Sequence, residues 1–158
     1  MKVFTVVAGA VVVVAYAVWG MLVMNHLGLV AGSGLPLDET LATMESAGER
    51  ASMVFGYVFA ALGVGLAGWW AASSLLKRER GPIGVLAGWC AILVGGAAAY
   101  FYTSIYNLMS LGDTFFDWHQ DPLADLQRPL YLTSGLALVV LAALGLGFLA
   151  RGIARRRK

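Results

Sequence analysis

Thioether and imidazole side chains set close together are the donors that a soft ion such as Cu(I) selects. Met21, Met24 and His26 lie within one short stretch of this chain. Met21 and Met24 share a helix face, with His26 nearby. The rival reading is packing, since methionine fills irregular helix surfaces well. The second histidine, His119, lies far along the chain. Holding one haem between His26 and His119 would require a loop residue to swing to the level of a helix end. A quinone would find Tyr102, Tyr106, Asn107 and His119 as polar and aromatic neighbours. Each pattern has a plainer structural explanation, so the sequence predicts no metal site and no cofactor.

Other patterns weaken when their chemistry is spelled out. Gly63-Val64-Gly65-Leu66-Ala67-Gly68 matches a dinucleotide fingerprint. That motif works only after a strand, with the anion at an exposed helix N-terminus. Here it lies in the middle of a long apolar run, where packing explains the glycines better. The single cysteine, Cys90, has no partner for a disulfide or for dithiol chemistry. Asp113, Asp117, Asp121 and Asp125 recur every fourth residue, but Pro122 argues against one continuous helix that would stack them. They read as solvated acids, with a basic-partner or divalent-cation surface as the functional alternative. Ion-coupled transporters, proton relays and voltage sensors need ionisable groups inside their spans. This chain keeps all of its charges outside four apolar runs. No set of acid, base and nucleophile converges either, so an enzyme is not expected.

Those four runs are the elements that must position everything else. They cover 3–27, 51–76, 82–110 and 130–150, each long enough to cross a hydrocarbon core of about 30 Å at about 1.5 Å per residue. The fold class expected is an all-α membrane protein: a four-transmembrane-helix antiparallel bundle forming a single domain over 1–158. Lys2 followed by Ala15-Tyr16-Ala17 imitates a signal peptide. The apolar run continues through Val18-Trp19 to Leu27, so it reads as the first span. The gaps sort by sign. Nine Lys/Arg and Glu79 fall at the N-terminus, in the 77–81 hairpin and at the C-terminus, roughly +8. Eight acids against Arg50 and Arg128 fall in loops 28–50 and 111–129, roughly −6. Basic residues beside spans stay in the cytoplasm. Both termini are therefore expected inside, in a bacterial cytoplasmic (inner) membrane.

Local signals refine the picture. In the first outer loop Gly28 ends the first span and Asp38 is expected to cap a short amphipathic helix whose face carries Leu37, Leu41 and Met44. Gly81 and Pro82 suit a tight hairpin between spans two and three. Ala61, Gly65, Gly68 and Ala72 form a small-residue stripe on span two, and Gly84, Gly88, Ala91 and Gly95 form another on span three. The two stripes are expected to pack on each other. Gly112 is expected to stop the third helix. Asp121-Pro122 then starts a second short helix before a separate fourth span that begins after Pro129. The basic tail Arg155–Lys158 is expected against anionic headgroups.

Function is read mainly from these absences. Phe115, Phe116 and Trp118 stand in a loop that should be polar, and Tyr102 and Tyr106 lie just below it. Aromatic residues at exposed positions anchor partners. The leading expectation is an accessory or scaffolding subunit of a larger membrane complex, docking through this outer aromatic-acidic surface. The alternatives are a homo-oligomeric channel or small-solute transporter, and a redox or metal-binding membrane protein using the outer His and Met residues. The partners expected are lipids and other subunits or a second copy, not nucleic acid.

Overall fold

The computed structural model describes residues 2–77 and 81–156, with side chains through Ala150 in the last helix. Among the described residues there is no strand. Four stretches are long and apolar enough to cross a membrane: Lys2–Ser33, Val54–Leu76, Pro82–Thr114 and Gln120–Ala150. The first consists of α1 (Lys2–Leu22), one π turn (Val23–Leu27) and α2 (Gly28–Ser33). A short helix, α3 (Leu37–Ser46), follows, then α4 (Val54–Leu76), α5 (Pro82–Thr114) and α6 (Gln120–Arg156).

Apolar burial cannot hold these helices together in lipid, because lipid tails are as apolar as leucine; close packing and interhelical hydrogen bonds must do so. α1 packs chiefly on α4, and α5 on α6, with α1 also lying against α5. Lys2 Nζ donates to the Lys77 carbonyl at 2.8 Å, and Asn25 Nδ2 to the Met53 carbonyl at 2.9 Å. The start of α1 therefore lies beside the end of α4, and the π turn beside its start. One ring from each span joins a chain through the interior. Tyr16 meets Phe59 at 6.2 Å, Phe59 meets Tyr100 at 5.9 Å, and Tyr100 meets Tyr131 at 6.1 Å. Tilted and edge-on pairs at such distances add about 0.5–1.5 kcal/mol each beyond their packing. The Ser134 hydroxyl donates to the Leu93 carbonyl at 2.8 Å and shares a 3.1 Å bond with the Tyr16 hydroxyl.

Local expectations fail where tertiary packing overrides a breaker. The first helix does not end at Gly28. It continues through the π turn to Ser33 and ends at Gly34, whose φ of 72° is a left-handed cap that only glycine adopts cheaply. Asp38 is not the N-cap of α3: the cap position is Pro36, two residues earlier, and Asp38 and Glu39 lie in the first turn. Met44 and Thr40 are fully buried, and Leu37 and Leu41 pack around Met44. The amphipathic face is thus spent on the ends of α2 and α5. Gly112 does not stop α5, which runs on to Thr114.

Nor does Pro129 separate a short helix from the fourth span: both belong to one helix, Gln120–Arg156. Proline removes one helical donor in this turn. That donor would have served the Asp125 carbonyl, four residues back; the Trp19 indole donates to the next carbonyl, that of Leu126, at 3.0 Å. Pro82 opens α5 after an extended Gly81, as the hairpin signal suggested. Arg78, Glu79 and Arg80 of that hairpin, and Arg157 and Lys158 of the basic tail, lie outside the described residues.

Candidate functional site

The densest polar construction lies where the π turn, the α3–α4 link and α5 meet, at the end of the bundle that carries the acids. Asn107 is buried there and behaves as a piece of backbone. Its Oδ1 accepts from the Ser52 N–H at 2.7 Å, and its Nδ2 donates to the Ser52 carbonyl at 3.0 Å and to the Met24 carbonyl at 3.2 Å. Asn25, on the π turn, donates to Met53 next door. Its Oδ1 faces Gly56, where a Cβ would overlap the amide. Thr103 donates to the Met24 sulfur at 3.4 Å. π turns are rare and recur where a helix is adapted to a site. The cavity beside this hub, bounded by Tyr100, Ser104, Asn107 and Gln127, measures only about 10 Å³. That is room for one water at most. The hub is therefore a lock between helices, with no space for a substrate.

The residues singled out by sequence are dispersed around it. Met24 is buried and its sulfur is occupied by Thr103. His26 is exposed on the π turn. His119 lies against Gly34, and its backbone N–H is held by the Gly32 carbonyl at 2.8 Å. Eight residues separate positions 26 and 34, about 12 Å along a helix axis, so the two imidazoles do not share a site. Among the described residues no group of three or more His, Cys, Asp or Glu could hold a metal ion. No family model, curated protein or solved structure matches this chain. What the site can do must come from its own geometry.

The aromatic trio at the acidic end divides. Phe115 and Trp118 turn inward against the buried Leu29, Met44 and Leu111 cluster. Phe116 is 98% exposed. Asp113, Asp117 and Asp121, near it in the sequence, are exposed as well. Tyr102 and Tyr106 are exposed on α5, Tyr106 with its ring 5.6 Å from Phe55. Asp125 is paired with Arg128 at 2.8 Å, both side chains being largely exposed. Such a pair contributes little to stability.

The two small-residue stripes do not pack on each other. Ala61, Gly65, Gly68 and Ala72 are all exposed on α4, and Gly84 and Gly95 on α5. A Cβ at Gly65, Gly68, Gly84 or Gly95 would meet open space. Only Gly88 is used as expected of a small residue, with the Trp70 indole pressed where its side chain would be. The reason is that α4 presents its other face, Gly56, Phe59, Ala67 and Ser74, to the bundle.

Asn25 and Ser52 were the residues that sequence reasoning missed. Asparagine near the end of an apolar run was the available signal. Its partners are main-chain groups, which no side-chain pattern announces.

Proposed function

We propose that this chain is a multi-pass protein of a bacterial inner membrane, an antiparallel four-span bundle with both termini in the cytoplasm. In this reading it serves as an accessory, scaffolding subunit of a larger membrane complex. The sign-sorted charges support the orientation. The observation that carries the docking role is Phe116, 98% exposed while its neighbours Phe115 and Trp118 pack inward. An exposed phenyl ring in a segment that carries three exposed carboxylates suits a partner that offers an apolar pocket rimmed by basic residues. Its burial would supply the affinity, and the acids would steer approach. The outward stripe Ala61, Gly65, Gly68 and Ala72 supports a second contact inside the membrane, where small residues admit a neighbouring helix closely.

That stripe equally favours a second reading, self-assembly. A channel between copies draws less support, because Thr103 and Ser73 bond back to their own helices.

The test is a photo-crosslinking residue at position 116 in native membranes, with the adduct identified by mass. The expected result is one defined heterologous membrane protein, with association weakened by raised salt and about ten-fold by Phe116→Ala, roughly 1.4 kcal/mol. Adducts of twice the chain mass would replace it by the second reading. No adduct at all would overturn both.

A further inference from the structure

The buried side of the first span changes register at the π turn. In α1 the buried residues are Val6, Val13, Tyr16, Ala17 and Gly20, and Val23 and Met24 continue their stripe. At about 100° per residue, an unbroken helix would carry that stripe on to Leu27 and Ala31 and turn Leu29 and Gly32 outward. The opposite is found: Gly28, Leu29 and Gly32 are buried, while Leu27 and Ala31 are half-buried. One extra residue accounts for the shift. The Gly28 N–H donates to the Val23 carbonyl, five residues back, where an α-helix would use Met24. The Met24 carbonyl released in this way is the one that Asn107 takes. His26 is the exposed residue of the turn.

The shift decides what lies beneath the loop between α5 and α6. Gly32 is so close to Leu111 that a Cβ would overlap it, and the Trp118 ring lies 3.7 Å from the same point. The Gly32 carbonyl accepts from the His119 N–H at 2.8 Å, and the Leu111 carbonyl from the Phe115 N–H at 2.9 Å. Between these two ties Trp118 packs inward, while Phe116 and Asp117 are exposed. We propose that Gly32, set in phase by the π turn, is the positioning residue of the docking tip: it seats Trp118, ties His119 and so presents Phe116 in one pose. This role rests on docking through Phe116. A preformed tip loses less freedom on binding than a loose loop does. In the unbroken register Ala31 would stand in place of Gly32, its methyl against Leu111. Ser33 would then take the left-handed position of Gly34, which only glycine adopts cheaply.

Two readouts separate positioning from docking. Hydrogen exchange at the His119 amide, resolved by fragmentation mass spectrometry on the full-length protein in lipid nanodiscs, reads the tie itself. Adduct yield from a photo-crosslinking residue at position 116 in native membranes reads docking. Gly32→Ala should speed exchange at His119 about ten-fold, as loss of one hydrogen bond does, while the Asn107 amide stays protected. It should lower the adduct yield about five-fold as the tip loses its fixed pose. Adding Leu111→Val, which withdraws the methyl in the way, should restore both. Deleting His26 removes the extra residue, lets the turn close as α-helix and keeps Gly32 in place, so both readouts should match the parent. An alanine inserted after His26 brings Ala31 under Trp118 and should act like Gly32→Ala. A deletion as harmful as the insertion, or unchanged exchange in Gly32→Ala, would overturn the proposal. Fast exchange with an undiminished adduct would overturn it and leave docking in place. No adduct even from the parent would remove the docking reading and the positioning role with it.

Discussion

Asn107 shows how one side chain can substitute for secondary structure. Its amide satisfies both main-chain groups of Ser52 and reaches the Met24 carbonyl, so three elements depend on it. Leucine fits the volume but leaves those groups buried and unpaired, at about 1–3 kcal/mol for each group that water cannot reach. Asn107→Leu should therefore destabilise the protein by about 3 kcal/mol in a denaturant titration in mild detergent. Gly56→Ala should cost about 1–3 kcal/mol, because the new methyl meets the Asn25 amide. Gly65→Ala, into open space, should stay within about 0.5 kcal/mol of the parent. Equal effects for the two glycines would refute the close approach at Gly56. The sequence made Asn107 visible as a polar residue in an apolar helix. It could not show that the partners are backbone, since every residue carries the same amide and carbonyl.

At the scale of elements, the apolar runs were legible because lipid demands them. Each span must satisfy its own backbone, and only a long apolar helix does so cheaply. Breaker residues were misleading for the same reason. Gly28, Gly112 and Pro129 each end a helix in water, where the freed groups find solvent, yet all three lie inside helices here. Beside Pro129, whose missing donor would have served Asp125, the Trp19 indole ties the next carbonyl, that of Leu126, to the first span. Trp19→Phe keeps most of the packing and removes that donor. It should cost about 0.5–1.5 kcal/mol in the same titration, and the same amount when Pro129 is also replaced by alanine, whose N–H would serve Asp125 instead. A cost that vanished in the Pro129→Ala background would show instead that the indole stands in for the proline's missing donor. The facing of the small-residue stripes was not legible. Span two has two stripes of small and apolar residues, and nothing in its periodicity says that the Gly56–Ser74 face is the one taken by α1.

Across the whole molecule, charge and hydropathy act together. Four ring-bearing spans lock one another through Tyr16, Phe59, Tyr100 and Tyr131, while acids and bases collect at opposite ends of the chain's hairpins. The docking role proposed for Phe116 requires the acidic end to face away from the cytoplasm. The one cysteine, Cys90, is buried, so single introduced cysteines report without background. In intact cells, a membrane-impermeant maleimide should label Phe116→Cys at once and Lys77→Cys only after lysis. The reverse pattern, with position 77 labelled from outside and position 116 protected, would contradict the account.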